Sequence, residues 1–304
     1  MARPAQTLPH LVLAGFALDR DATRRGSPHL LKELLADPGT RVVEIRGDTA
    51  RVSASRDGLR LALRGPEAGD ADRLAVYLGL DAGHTAYLCV AATDAEPEGD
   101  DWQTLRQVAA QLPEAEAGLL ATSLALANWH SAHGHCPRCG TRTEPDQAGW
   151  IRRCPADDSE HYPRTDPAVI MSVVADDGRL LLARGAKWGV KRYSVLAGFV
   201  EPGETLAAAV RREVREEVGI DVDDVTYLGD QPWPFPTSLM IGFTARARTT
   251  ELVFRDGEIA EALWATREEL RDRVSSGEWG ISPRLSIARR LIEHWYGEPI
   301  TFAR

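Results

Sequence analysis

The stretch Gly198 to Ile220, GFVEPGETLAAAVRREVREEVGI, constrains this chain more than any other. Read as a helix at about 100° per residue, it brings Glu213, Glu216 and Glu217 onto one face within roughly 100° of arc. Carboxylates at this spacing repel one another and weaken a helix unless cations neutralise them. An all-carboxylate set suits hard divalent cations such as Mg²⁺ or Mn²⁺, which bind through carboxylates together with substrate phosphates. Leu206, Val210, Val214 and Val218 recur every four residues and predict an apolar stripe packed on a sheet. Gly198 and Gly203 permit a tight loop into the helix, where backbone N–H groups favour anions. The plain alternative is a solvated acidic face with Arg211, Arg212 and Arg215 as local ion-pair partners.

The whole 23-residue pattern decides between these readings. It resembles the Nudix box, GX5EX7REUXEEXGU with U aliphatic, and every fixed position is filled. That resemblance implies a metal-dependent hydrolase of diphosphates linked to another moiety, with Glu213, Glu216 and Glu217 as metal ligands and catalytic groups. It also implies a Nudix α/β/α sandwich with a mixed sheet.

Downstream, Gln231-Pro232-Trp233-Pro234-Phe235-Pro236-Thr237-Ser238 carries three alternating prolines. Each fixes φ and biases its predecessor to extended geometry, so the segment is stiff and unsuited to a central strand. It would hold Trp233 and Phe235 as a stacking platform, or as plain core cover. At this distance after the box, QPWPFP resembles the signature of the NADH pyrophosphatase branch, some members of which remove NAD caps from RNA. The resemblance implies substrate contacts at Phe199, Gln231, Trp233, Phe235, Ser238, Tyr162 and Ala288. It implies Glu258 as a further metal-binding glutamate, with Glu261 fitting less well, and the Ala197 carbonyl as another metal ligand. Gly149 stands where the family has a glutamate contact.

Cys136-Pro137-Arg138-Cys139 is a CxxC knuckle, followed fifteen residues later by Cys154. A full zinc ribbon supplies four ligands. Asp157 stands where the family register puts the fourth cysteine, and His161 is a chemically better-matched alternative, with His133 and His135 also near. Rival readings are a redox CxxC, which normally sits on a thioredoxin-like βαβ unit, and a ribbon that has lost its metal. The expected ion is a structural Zn²⁺.

Between residues 1 and 100, short runs such as RVVEIRG, LRLALRG, RLAVYLGL and TAYLCVAA read as an antiparallel sheet, EPEGDD as a loop, and Trp102 to Ala132 as helix broken near Pro113. No internal repeat is legible. The fold class is therefore α+β. It comprises an N-terminal domain over 1–132 that supports dimerisation by resemblance, a zinc-ribbon-like segment over 133–164, and a Nudix catalytic domain over 165–304. The formal charge of −9 argues against a dedicated nucleic-acid-binding protein. It leaves room for recognition of an RNA 5′ end through its cap. Four cysteines, three of them clustered, suit a reducing compartment, and Cys89 reads as a buried strand residue. No apolar run is long enough to span a bilayer, and the first 25 residues show no signal-peptide core, so a cytoplasmic, homodimeric enzyme acting on NAD(H) and NAD-capped RNA is expected. Two other functions fit less of the pattern: a broader Nudix hydrolase of ADP-ribose-type substrates, and a non-catalytic NAD sensor.

Overall fold

The structure is a computed structural model that describes residues 8–92, 99–189, 191–254 and 257–302. The loop expected at 96–101 begins outside these residues. The chain forms two compact units. One holds Val12–Thr165 together with Trp233–Thr237; the other holds the segment ending at Leu11, Asp166–Pro232 and Ser238–Arg304.

The first unit contains α1 (Leu30–Ala36), β1 (Arg41–Arg46), β2 (Thr49–Ser55), β3 (Gly58–Leu61), β4 (Leu74–Leu80), β5 (Ala86–Ala92) and β6 (Trp102–Thr104). There follow α2 (Leu105–Val108) and α3 (Glu114–Ala132), then the ribbon strands β7 (Glu144–Asp146), β8 (Ile151–Arg153) and β9 (Glu160–His161). The helix break falls at Pro113, which caps α3, while Trp102 opens a short strand rather than a helix. The sheet order is β3-β2-β1-β5-β4, with β6 beside β2. Most neighbours are antiparallel as expected, but β1 and β5 run parallel. Val42, Val43 and Ile45 on β1 and Leu88, Cys89 and Val90 on β5 are all buried. Such strands, apolar on both faces, are the kind that parallel pairing requires.

The second unit contains β10 (Asp166–Val174), β11 (Leu180–Gly185), β12 (Arg192–Tyr193), β13 (Leu196–Phe199), α4 (Leu206–Val218), β14 (Val222–Trp233), β15 (Ser238–Ala247), β16 (Ile259–Ala265), α5 (Arg267–Ser275), β17 (Gly280–Ile281) and α6 (Ile287–Tyr296). Its mixed sheet runs β14-β15-β10-β11-β16, with β13 on β10. β10 pairs parallel with β15 and antiparallel with β11. α4 lies on a core of Val169, Met171, Val173, Leu181 and Phe243, and a second core holds Leu291, Ile292 and Trp295 of α6.

The two sheets share one topology. In β6-β2-β1-β5-β4 and in β16-β11-β10-β15-β14, the central parallel pair joins the first strand of the unit to a late one, and the last strand lies beside the second. The reading of no internal repeat is therefore corrected at the level of fold. Between β3 and β4, where the second unit carries α4, the first has only a 3₁₀ turn, Ala68–Asp72. Its buried Asp70 accepts two bonds from Arg64 at 2.6 and 2.7 Å. With the helix gone, no hydrophobic or acidic pattern survives for a sequence comparison of the halves to detect.

QPWPFP enters as an edge strand, because β14 ends the sheet and carries Gln231, Pro232 and Trp233. This is where proline is tolerated.

α3 is tied to the ribbon by His130, which is 5% exposed. Its Nε2–H donates to the Gly149 carbonyl at 2.8 Å, and its Nδ1 accepts from Arg152 at 2.9 Å. Burial, then the Arg152 charge, lowers its pKa to about 4. A depressed histidine pKa means that the unfolded chain takes up a proton first, so stability present above pH ~6.5 falls as pH drops toward the folded value. Chemical unfolding between pH 7 and 4 should show a loss of about 3 kcal/mol from this group. His130→Gln, which keeps one donor and one acceptor, should flatten that slope.

Candidate active site and zinc ribbon

The helix that carries the acids is anchored to the sheet by its apolar stripe. Val210, Val214 and Val218 are fully buried, and each such burial stabilises by roughly 1.5–3 kcal/mol. Like-charge pairs along a helix cost only about 0.2–0.5 kcal/mol each. Leu206, expected in the stripe, is 37% exposed, because it sits in the first turn just after the cap. Thr205 caps the helix by accepting from the Ala208 N–H, and Gly219 ends it in the left-handed region at φ 74°.

Arg212 organises the acids. It donates to both carboxylate oxygens of Glu204 at 2.7 and 2.9 Å, to Glu213 at 2.8 Å, to Glu216 at 2.9 Å and to the Phe199 carbonyl at 2.9 Å. Arg212 fills a fixed place in the box, but the sequence assigned it no role beyond ion pairing in the alternative of a solvated acidic face. The Arg212 hydrogen bonds hold the Glu204 carboxyl down to about 2. Glu213 goes the other way: burial raises its pKa, Arg212 opposes that, and the nearby charges of Glu216 and Glu258 add to the rise.

Gly198 makes room for Glu213. A Cβ at Gly198 would lie 1.9 Å from the Glu213 carboxyl carbon and within 2.2 Å of both its oxygens. The carboxylate thus lies directly against β13, which brings it beside the backbone that carries Ala197.

A cavity of ≈420 Å³ opens here, lined by Ala197, Glu217 and Glu258 together with Gly185, Lys187 and Trp188. Glu258 belongs to this acidic group, while Glu261 turns to Arg184 at 3.5 Å. The donors suit a hard divalent cation: four carboxylates, one of them raised chiefly by burial, with a glycine cradle behind.

Two of the expected substrate contacts are buried. Gln231 is fully buried, and its amide is engaged at both ends, donating to the Leu285 carbonyl at 2.8 Å and accepting from the Ile287 N–H at 2.7 Å. It latches the edge strand to the start of α6. Ala288 is 2% exposed, its methyl lies in the core and its N–H is engaged by the Ser286 cap. Phe199 is 59% exposed on the second unit, and Ser238 opens β15 opposite Asp166. On the first unit, Trp233 and Phe235 form an edge-to-face pair with centroids 4.9 Å apart. The Arg106 guanidinium lies 3.8 Å from the Phe235 ring centre. Tyr162 is exposed there and donates to Glu160 at 2.7 Å.

In the ribbon, donor atoms of Cys136, Cys139, Cys154 and Asp157 all lie within 4.8 Å of one another. Cys139 and Cys154 sulfurs are 3.5 Å apart, and Cys136 Sγ is 3.7 Å from the Asp157 carboxylate. The sulfur spacing is close to the roughly 3.8 Å edge of a tetrahedron with 2.3 Å zinc–sulfur bonds. His161 instead meets Ser159 Oγ at 3.1 Å, so Asp157 is the fourth donor of the cluster. Burial alone would raise the Cys136 thiol, but hydrogen bonds from Ser159 and the backbone N–H groups of Arg138 and Cys139 bring it down to about 6. Burial pushes Cys154 up to about 11, and bonds from Ser159 hold Asp157 below the usual carboxylate range.

Three family models match the chain: the NUDIX domain over residues 164–285, the NADH pyrophosphatase zinc ribbon domain over 131–162, and the NADH pyrophosphatase-like rudimentary NUDIX domain over 30–129. The last agrees with the shared topology of the two sheets. Fold and box together define the class, a Nudix-fold protein with a zinc-ribbon domain. The NAD-capped RNA hydrolase NudC of Mycobacterium bovis is 42% identical over 215 residues, covering 68% of this chain and 68% of that protein. NudC of Mycobacterium tuberculosis gives the same figures. The NAD-capped RNA hydrolase NUDT12 of Homo sapiens is 43% identical over 197 residues, 61% of this chain and 43% of its own length. The chain belongs to the NADH pyrophosphatase and NAD-capped RNA hydrolase family of the Nudix superfamily.

Purified protein should carry about one zinc per chain by elemental analysis. Asp157→Ala should lower zinc retention against a chelator, whereas His161→Ala should leave it unchanged; the reverse result would move the fourth ligand to the histidine.

Proposed function

We propose that this chain hydrolyses the diphosphate of NAD(H), giving NMN(H) and AMP, and removes the NAD cap from RNA, giving NMN and 5′-monophosphate RNA. The observation that carries this reading is the cavity that gathers Glu217, Glu258 and Ala197 beside Glu213, in a chain similar along most of its length to NAD-capped RNA hydrolases.

Glu213, Glu216, Glu217, Glu258 and the Ala197 carbonyl would hold the divalent cations, Mg²⁺ or Mn²⁺. Such ions offset phosphate charge and lower the pKa of a water. The chain's own residues do the rest. Arg212 keeps Glu213 and Glu216 in place by direct hydrogen bonds, so the carboxylates are oriented before substrate arrives. Glu217 is almost buried at 7% exposure, which strengthens its interaction with any charge brought into the cavity. On the family resemblance, the substrate-contact residues are Phe199, Gln231, Ser238 and Ala288 on the second unit, and Tyr162, Trp233 and Phe235 on the first.

The cysteines of the ribbon are structural in this reading, with Zn²⁺ between them. Among the described residues no helix is long and apolar enough to cross a membrane. We place the enzyme in the cytoplasm, where its substrates and reduced thiols coexist, and infer a homodimer on the family resemblance.

Glu217→Gln decides the reading. With Mn²⁺ and either NADH or a short NAD-capped RNA, products resolved by mass spectrometry, the variant should lose at least about 100-fold in kcat while still binding dinucleotide. A wild-type protein that binds NADH without cleaving it would make the chain a sensor. Cleavage of ADP-ribose with neither NADH nor capped RNA would make it a broader Nudix hydrolase.

A further inference from the structure

One element of the cavity has no part in the reading above: the tight turn Gly185-Ala186-Lys187-Trp188 that follows β11. Its Trp188 N–H donates to the Gly185 carbonyl at 3.0 Å, closing the turn. The Ala186 N–H donates to the carbonyl of Glu258 at 2.7 Å, so the turn and that glutamate's backbone are pinned together. Trp188 lies over Gly185: a Cβ there would stand 3.3–3.5 Å from the indole ring. The Arg192 guanidinium, 5.1 Å from the ring centre, steadies it further.

Despite this support the indole remains 40% exposed, and it lines the same cavity as Glu217 and Glu258. Leaving a large aromatic open to water forgoes part of its favourable burial. Lys187 lines the cavity beside it and has no ion pair among the described residues, although two carboxylates share the lining. The cavity therefore combines an aromatic face, one uncommitted ammonium and an acidic wall. Its volume of ≈420 Å³ lies toward the small end of ligand pockets, which run from roughly 300 to 1,000 Å³.

We infer that the Lys187–Trp188 turn is a substrate-recognition element: Trp188 stacks on the aromatic heterocycle of one nucleotide half, and Lys187 pairs with the attached phosphate. This rests on the dinucleotide reading and adds to it the group that sets affinity at the metal cavity. A planar ring stacks on any heterocycle, so adenine and nicotinamide share the chemistry. The two reaction products, AMP and NMN, separate them.

The test uses full-length protein with Mn²⁺ and NADH. Trp188→Ala should raise KM roughly ten-fold, within the range measured for loss of one base-stacking partner, with kcat within about three-fold of wild type. Trp188→Phe should restore most of the affinity. Mn²⁺ binding, read by electron paramagnetic resonance of the free ion, should match wild type in both. Inhibition by one product, AMP or NMN, should weaken in parallel with KM, and its identity names the half that stacks. Lys187→Ala should raise KM with Mn²⁺ binding unchanged, and Lys187→Arg should recover it; this arm stands if Trp188→Ala does not fold.

Unchanged KM in Trp188→Ala and Lys187→Ala overturns the inference. So does a loss of Mn²⁺ binding in step with KM, which would make the turn a mere prop for Glu258. If wild type binds Mn²⁺ but cleaves no NADH, the dinucleotide reading fails separately. Calorimetric titration of AMP and NMN into wild type and Trp188→Ala then still decides the turn: weaker binding of one nucleotide supports it, and equal binding of both overturns it.

Discussion

The contacts of Arg212 are the constraint on which the catalytic half depends. An acidic helix face and a loop rich in glutamate would repel each other, and one guanidinium resolves this by bonding Glu204, Glu213, Glu216 and the Phe199 carbonyl together. Arginine suits the task because its planar fork presents several donors in fixed directions and stays charged. Lysine, a point charge, could not serve four acceptors on two elements at once. The same contacts bind the loop after β13 to α4, and so fix where the carboxylates stand relative to the Ala197 backbone. The missing side chain of Gly198 is the steric counterpart: Glu213 occupies the space a methyl would fill.

The two halves show what remains of a fold when its site is absent. Both sheets have the same strand order around one parallel pair. In the first unit the helix that would carry the acids has shrunk to the turn Ala68–Asp72. There the buried acid, Asp70, is neutralised by Arg64 rather than presented to solvent. That sheet keeps a packed core through Leu30, Tyr77, Leu88 and Val90, since strand pairing and burial need no catalytic residues. A fold of this kind supports structure, while function depends on the particular groups it carries.

Legibility differed between motifs for a physical reason. The box could be read in one dimension because its groups sit at helical spacing within a few turns, as Glu213, Glu216 and Glu217 do. The stiffness of QPWPFP was legible as well, since proline acts on its own dihedrals. The latch formed by Gln231 was not legible because both partners of its amide come from the start of α6, more than fifty residues on. The burial of Ala288 was hidden for the same reason: it is decided by the sheet the helix faces. In the ribbon, spacing could not choose between Asp157 and His161. The turn from Cys154 to Ser159 folds Asp157 onto the cysteines and leaves His161 with the Ser159 hydroxyl.

By itself the sequence determined the family, the chemistry of the donors and the alternation of helix and strand, because each rests on residues near one another along the chain. The tertiary structure alone decided which of those residues face a cavity and which are absorbed into packing. It buried Gln231 and Ala288, left Leu206 in water, set Glu258 rather than Glu261 beside the acids, and brought Lys187 and Trp188 to the same opening. It also revealed the repeated sheet. Exposure and long-range pairing depend on where distant segments meet, and local spacing carries no information about that.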